Sequence, residues 1–366
     1  MYEEIRSNLI DGHLHLSRTV TMSRVENVAQ MQNILQEACL HAMCVQNIVL
    51  WDPRHLLRNP LSLLLKRREP ARVFSFGGLR LPPPTQTDKH ANYAAQAERL
   101  IQLGFDGVKM FGKPNIRRDF GEPFDSPVFD ELYAALEEKQ IPILFHLGDP
   151  RAFWDPMHAP AFARENGWVF TGPRDVPFEQ QYEEMERLLT RFPRLRIVFA
   201  HFYFLADDLP RLRAFLLRWP SVRIDITPGT ELYEQCSETP EQARAFFLEF
   251  QDRILFGTDN VGTAYGETFD PGQAAAQRIA TIWRFLTTDA SEGWGTRLRG
   301  LSLPPDALER IAYRNFYEFV GREQPRPVDW TAAKAYAREM QQLALNAQDQ
   351  ILNHEFSALL QAYDTE

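Results

Sequence analysis

Short apolar segments alternate with amphipathic segments along most of the chain, and this alternation restricts the fold more than any other feature. Several apolar segments carry the β-branched and aromatic residues typical of strands, as in Arg196-Ile197-Val198-Phe199-Ala200-His201. The predicted strands are residues 8–14, 43–50, 72–79, 106–111, 142–147, 196–202, 221–227 and 253–258. Apolar spacings of three and four between them predict helices over residues 26–41, 88–103, 127–139, 178–192, 207–218 and 239–251.

Repeated strand–helix alternation is the pattern of a parallel α/β protein, and eight repeats predict a closed (β/α)8 TIM barrel. A doubly wound open sheet is the competing interpretation. No glycine-rich phosphate loop follows the first predicted strand, which argues against a nucleotide-binding version of that sheet. The 366 residues exceed the usual size of one domain, but α/β barrels commonly reach this length as a single unit.

Some segments lie outside the strand–helix repeat. Residues 148–177 form a long loop after the fifth strand, and we expect a lid there because long loops are uncommon unless they are functional. Residues 260–303 form a second, partly helical excursion. The pattern of residues 329–364 predicts one or two amphipathic helices. We therefore predict a barrel domain over residues 1–325 and a helical extension over residues 326–366 that packs on the barrel. The helical tail is also compatible with a homodimer.

The composition argues against several classes of partner. The formal net charge of −9 disfavours nucleic acid and anionic membrane surfaces, because both attract basic patches. No apolar run reaches the about 18 residues of a membrane span, and the first residues lack the pattern of a secretion signal. The three cysteines show no disulfide or metal-finger spacing. We therefore expect a cytoplasmic protein whose partner is a small molecule.

Histidines are concentrated at the ends of predicted strands. His13 and His15 share one face of the first strand, because alternate side chains of a strand point the same way. The fifth strand ends in His146 and the sixth in His201. Four of the nine histidines therefore lie at three strand ends, and the active sites of α/β barrels lie at the carboxyl ends of their strands.

Two further charged residues belong to this pattern. Asp259 ends the eighth predicted strand, and Lys109 lies in the fourth. Three or four imidazoles and one carboxylate suit a divalent ion such as Zn²⁺, with Mn²⁺ or Fe²⁺ as alternatives, and such an ion would lower the pKa of its water. In the structural alternatives, the histidines close the barrel mouth without a metal and Lys109 forms a buried ion pair with Asp225.

The order of these residues resembles that of the amidohydrolase superfamily. Residues 10–15, 200–202 and 254–259 look most like the branch that contains aminocarboxymuconate-semialdehyde decarboxylase and related lactonases. Residues 311–316 also resemble the closing helix of that branch, so that the resemblance extends over residues 8–320.

The resemblance implies a role for each residue. His13, His15 and His146 would bind one divalent ion, and Asp259 would ligate it or take a proton from its water. His201 would be a general acid or base beside the metal, or a ligand of a second ion. In two-metal relatives a lysine at the position of Lys109 is carboxylated and bridges the ions, but one ion is usual in this branch. The acidic residue that the decarboxylases tend to place after the first strand is replaced here by Ser17-Arg18-Thr19.

Four residues near the predicted barrel mouth are candidates for substrate binding. Arg80 ends the third strand, and Arg151 and Arg174 lie in the long loop at 148–177. A guanidinium grips a carboxylate through two hydrogen bonds, so these residues suit an acidic substrate. Trp154 in the same loop, like Trp168, could lie under a ring-shaped substrate or simply pack the loop.

Three functional hypotheses follow. The first is a metal-dependent hydrolase of a small lactone, amide or other cyclic ester, acting through a metal-activated water with Asp259 and His201 as catalytic residues. The second is a metal-dependent non-oxidative decarboxylase of a small acidic substrate, with His201 as proton donor. The third is a non-enzymatic barrel that keeps a metal for stability. The sequence favours the two enzymatic hypotheses, because a site that has lost its activity has no chemical need for both His201 and Asp259.

Overall fold

The computed structural model describes residues 1–18, 21–229, 231–262, 270–293, 295–345 and 349–366. The strands are β1 (Ile10–His15), β2 (Ala42–Gln46), β3 (Val73–Gly78), β4 (Gly107–Gly112), β5 (Ile143–Leu147), β6 (Ile197–Phe199), β7 (Val222–Asp225), β8 (Ile254–Leu255), β9 (Asn260–Val261), β10 (Ser291–Gly293) and β11 (Thr296–Leu298). The α-helices are α1 (Tyr2–Ser7), α2 (Glu26–Glu37), α3 (Arg58–Arg68), α4 (Tyr93–Leu103), α5 (Pro114–Phe120), α6 (Asp130–Glu138), α7 (Ala161–Glu165), α8 (Phe178–Arg191), α9 (Leu209–Arg218), α10 (Leu232–Glu238), α11 (Pro240–Glu249), α12 (Pro271–Thr287), α13 (Pro305–Glu309), α14 (Asn315–Val320), α15 (Trp330–Leu345) and α16 (Gln350–Thr365). Short 3-10 helices cover Pro53–His55, Pro127–Phe129, Arg151–Trp154 and His201–Phe204, and Arg310–Arg314 is a π-helix.

A parallel sheet in the order β8-β7-β6-β5-β4-β3-β2-β1-β9 forms the body of the molecule. Because β8 and β9 are consecutive pieces of the chain, the pairing of β8 with β7 and of β9 with β1 closes the sheet into a barrel. The closure is tight at Gly257, where a Cβ atom would lie 2.7 Å from Thr227 Oγ1 and 3.0 Å from the Cβ of His13. The predicted TIM barrel is confirmed, and the open doubly wound sheet is wrong.

All eight predicted strands are present, but several are shorter than predicted, the sixth among them. The sequence predicts a strand over 196–202, whereas β6 ends at Phe199. After Ala200, four residues in a row from His201 to Phe204 have positive φ angles between 52° and 57°. Such left-handed backbone costs roughly 1–2 kcal/mol for a non-glycine residue, so the surrounding structure must hold this turn in place.

The helix predictions were less complete. The sequence missed α3 (Arg58–Arg68), which follows the second strand. Residues 148–177 are not one irregular loop, because they contain α7 (Ala161–Glu165) and a 3-10 turn. In the excursion at 260–303 the described residues form β9, α12 and a hairpin of β10 with β11, and residues 263–269 lie outside the described part.

The amino-terminal end of the barrel is filled by aromatic side chains. Phe74 and Phe76 of β3 pack against Phe316 and Phe319 of α14, all of them buried. These side chains form an apolar floor beneath the barrel interior. His15, His146 and Asp225 lie toward the opposite, carboxyl ends of β1, β5 and β7.

Helices α15 and α16 pack on the outside of the barrel. The hydroxyl of Tyr363 donates a hydrogen bond to the Pro60 carbonyl at 2.6 Å, and Asn59 Nδ2 donates to Tyr336 Oη at 3.1 Å. The boundary at 325/326 stays a prediction. In the described part of the chain, no helix is both long and apolar enough to cross a membrane.

Candidate metal centre

Three side chains converge at the carboxyl end of β1. His13 Nε2 and His15 Nε2 lie 3.2 Å apart, and Asp259 Oδ1 lies 3.2 Å from His15 Nε2 and 3.9 Å from His13 Nε2. All three potential ligand atoms lie within 4.8 Å of one another. Asp259 reaches this position from the junction of β8 and β9, where its backbone is left-handed and its N–H donates to the His13 carbonyl at 2.8 Å. We call these three residues the ligand cluster.

Hydrogen bonds at the Nδ1 atoms of His13 and His15 fix the orientation of the two imidazole rings. His15 Nδ1 donates to the Gln46 carbonyl at 2.6 Å, and His13 Nδ1 lies 2.8 Å from Asp225 Oδ2. In each neutral ring the proton therefore sits on Nδ1, and the lone pair of Nε2 points at the other members of the cluster. Two neutral imidazoles held in this way and one carboxylate are the donor set of a divalent transition-metal site, so these residues fit such an ion.

Electrostatics keep His13 and Asp259 in the protonation states that a metal requires. Burial, followed by the charge of Lys109, lowers the pKa of His13 to about 3, so this imidazole is neutral at pH 7. Burial raises the pKa of Asp259, but the contact with His15 outweighs this effect and holds the pKa of this carboxyl below its usual range. The carboxylate of Asp259 is therefore ionised.

Lys109 lies beside the ligand cluster. Its Nζ is 3.3 Å from His13 Nε2, and its side chain is buried. Burial lowers the pKa of Lys109 to about 7, although the charges of Asp225 and Asp259 oppose this shift. Asp225 gives one oxygen to His13 and the other to the His201 N–H at 2.8 Å. Among the described residues Lys109 forms no ion pair with Asp225, so that alternative for Lys109 is wrong.

His146 and His201 form a second pair of imidazoles next to the cluster. His201 Nε2 lies 3.0 Å from His146 Nδ1, and His146 Nε2 lies 3.2 Å from the Gly148 carbonyl. Because that carbonyl can only accept, the consistent neutral form has protons on both Nε2 atoms. His201 Nδ1 then carries a lone pair, and this buried atom has no hydrogen-bond partner in the described part of the chain.

The structure thus separates residues that the sequence grouped together. The ring centres of His13 and His201 are 5.5 Å apart, which places His201 beside the cluster. His146 is turned toward His201 and Gly148, and neither nitrogen can act as a ligand without breaking one of these contacts. Ligation by His146 stays a prediction, as do the catalytic roles of His201 and Asp259.

The four candidate substrate-binding residues make their contacts away from the ligand cluster. Arg151 pairs with Asp207 at 2.9 Å, and Trp154 Nε1 donates to the Val176 carbonyl at 2.8 Å. Arg80 and Arg174 have exposed side chains. In the described ranges none of the four forms a hydrogen bond or ion pair with the ligand cluster, and their roles in binding stay predictions.

Sequence reasoning missed the group around Asp149. This buried carboxylate lies 3.2 Å from Lys113 Nζ and 4.0 Å from His146 Nε2. The Lys113 ammonium in turn lies 3.6 Å from the centre of the Trp168 ring. Asp149 stands only three residues after His146, and this spacing was the signal in the sequence that could have pointed to it.

A narrow apolar cleft begins next to Lys109 and runs between β2, β3 and β4. Its wall is formed by side chains from the ends of these strands and from the loops that follow them: Ile48, Leu50, Leu79, Leu81, Met110, Phe111 and Phe124. The carboxyl end of the barrel therefore combines a charged cluster with an apolar wall. The cleft has a volume of only about 10 Å³, roughly the space of one water molecule, so it does not admit a substrate in this structure.

Comparisons with known proteins place this chain in a family. No curated protein sequence matches it. Among solved structures it is similar to 5-carboxyvanillate decarboxylase from Sphingomonas paucimobilis (14% identity, TM-score 0.50, covering 86% of this chain and 99% of that chain). It is also similar to IDCase from Metarhizium anisopliae (16%, 0.54, 86% and 97%) and to a 2,6-dihydroxybenzoate decarboxylase crystallised with 2,6-dihydroxybenzoate (16%, 0.50, 86% and 99%).

At these identities the likeness to solved structures is one of fold. The assignment to a family rests on sequence, because the sequence model described as amidohydrolase matches residues 10–322. This match includes every member of the ligand cluster and both β5 and β6. The resemblance inferred from the strand-end residues is therefore confirmed: the chain belongs to the amidohydrolase family.

Proposed function

We propose that this protein is a metal-dependent, non-oxidative decarboxylase of a small carboxylic acid. The observation that carries the proposal is the buried Lys109 ammonium 3.3 Å from His13 Nε2, beside a ligand cluster that fits a divalent ion. A cation in this position suits a substrate that arrives as a carboxylate. Similarity in fold to two proteins named as decarboxylases supports this reaction over the hydrolysis that the sequence favoured.

The cluster residues would hold the metal, and Lys109 would face the substrate carboxylate. A divalent ion bound by His13, His15 and Asp259 would supply Lewis-acid polarisation of substrate oxygen atoms. When protonated, Lys109 adds a second positive charge next to the cluster, in a site from which water is largely excluded. Charge interactions are stronger in such an environment than in water, so both cations favour binding of an anionic group.

His201 is the residue placed to move a proton. Loss of CO₂ breaks a carbon–carbon bond and leaves its electron pair on the substrate carbon, which must then take up one proton. The unpartnered Nδ1 of His201 carries a lone pair, so it can accept a proton from solvent or substrate and deliver it to that carbon. Asp225 accepts from the His201 N–H at 2.8 Å and so keeps the strained turn in place.

The test compares two products in one panel of compounds. Zn²⁺-loaded and Mn²⁺-loaded protein is incubated in D₂O with aromatic and aliphatic carboxylic acids and, separately, with lactones and amides. We expect CO₂ release with deuterium incorporated at the carbon that lost it, and we expect loss of this activity in His201→Asn. Acid release from lactones or amides without CO₂ release would instead support the hydrolase. Neither activity at full metal occupancy would support the binding barrel.

A further inference from the structure

A second positively charged group lies near the ligand cluster, at the start of α5. The ammonium of Lys113 is 3.2 Å from Asp149 Oδ1 and 3.6 Å from the centre of the Trp168 ring. Only 13% of the Lys113 side chain is exposed. Asp149 is 3% exposed, and its second oxygen has no hydrogen-bond partner in the described ranges.

Lys113 belongs to the same site as the ligand cluster. Asp149 Oδ1 also lies 4.0 Å from His146 Nε2, so this carboxylate bridges Lys113 and the His146–His201 pair. The charge of Lys113 contributes to lowering the pKa of both imidazoles, after burial and other neighbouring charges. Lys109 Nζ lies 3.3 Å from His13 Nε2, whereas Lys113 connects to the His146–His201 pair through Asp149.

The contacts of Lys113 leave part of its binding capacity unused. An ammonium has three N–H donors, and Asp149 accepts one of them. The Trp168 ring covers one face of the group through a cation–π contact, which holds its position without using a second conventional acceptor. A donor that is held in place and largely shielded from water forms a strong hydrogen bond with an anionic acceptor.

We propose that Lys113 determines specificity by binding a second anionic group of the substrate, so that the substrates are small acids with two such groups. One carboxylate faces Lys109 and the ligand cluster, and the other anionic group accepts from Lys113. Asp149 and Trp168 are positioning residues that hold the ammonium. This inference rests on the proposed function, since it names the substrate class of that site.

The test measures binding and does not depend on turnover. Benzene-1,3-dicarboxylate and benzoate are titrated calorimetrically into the Zn²⁺-loaded protein, with the metal content checked by elemental analysis. We expect the dicarboxylate to bind at least tenfold more tightly than benzoate, a difference of about 1.4 kcal/mol. In Lys113→Met this preference should fall to within twofold, and Lys113→Arg should restore part of it.

Two more variants separate recognition of the second anionic group from general effects of charge and folding. Lys139→Met removes a surface charge that pairs with Glu98, and it should leave the preference unchanged. Trp168→Leu should reduce the preference without reducing metal content. The inference is overturned if the wild-type protein does not prefer the dicarboxylate, or if Lys113→Met keeps the preference. Absence of CO₂ release together with a preference that depends on Lys113 would reject only the decarboxylase.

Discussion

Replacement of Asp225 by asparagine tests how the ligand cluster is organised. The buried Asp225 accepts from His13 Nδ1 at 2.8 Å through one oxygen, and from the N–H groups of His201 and Thr227 at 2.8 and 3.1 Å through the other. In Asp225→Asn the amide oxygen can keep the two backbone hydrogen bonds, which leaves the amide NH₂ facing His13. Two donors would then oppose each other, so His13 should shift its proton from Nδ1 to Nε2.

A proton on His13 Nε2 removes the lone pair that faces the cluster. Loss of such a supporting hydrogen bond typically weakens metal binding by about 10–100-fold, which is about 1.4–2.7 kcal/mol. The dissociation constant for Zn²⁺ is measured on the apoprotein by competition with a chromophoric chelator. We expect Asp225→Asn to weaken binding within this range while the folded structure, checked by circular dichroism, is kept.

The matched control is Glu184→Gln. Glu184 on α8 is also a buried carboxylate, but its partner is Arg117, at a distance of 3.1 Å. Its replacement removes a buried negative charge without touching His13, so the affinity for Zn²⁺ should not change. The reasoning is refuted if Asp225→Asn binds Zn²⁺ within twofold of the wild-type protein, or if Glu184→Gln weakens binding equally.

Three further predictions concern metal content and stability. His13→Ala should lose the divalent ion that elemental analysis finds in the wild-type protein, and equal metal in both would remove the cluster as the binding site. Gly257→Ala should lower the free energy of unfolding by about 1–3 kcal/mol in urea titrations, because the new Cβ would crowd Thr227 and His13; an unchanged midpoint would contradict the tight closure. Burial, and then the charge of Arg58, lowers the pKa of His55 to about 4, so the unfolded chain takes up this proton first as the pH falls. The stability that His55 contributes is complete above about pH 6.5 and falls by about 2.5 kcal/mol by pH 4.5, and His55→Gln should lose correspondingly less stability than the wild-type protein over this interval.

Much of the barrel could be predicted from the sequence because its signals are local. Runs of β-branched and aromatic residues predicted the positions of all eight strands. The alternation of these runs with amphipathic segments predicted the fold class. Helix α3 was missed for two reasons. The second predicted strand extends to residue 50, beyond the end of β2. The arginines and the lysine of α3 also obscure its apolar face. The early end of β6 could not be predicted, because four left-handed residues in a row have no local signal in non-glycine side chains.

The candidate site divides in the same way. The sequence by itself determined that His13 and His15 share a strand face and that Asp259 follows the eighth strand, since both facts follow from position relative to a strand. Only the tertiary structure decided that Asp225 and the Gln46 carbonyl orient the two imidazoles, and that His146 turns toward His201. These contacts join strands far apart in the chain, and their geometry depends on barrel closure and side-chain rotation, which no pattern of residue types encodes.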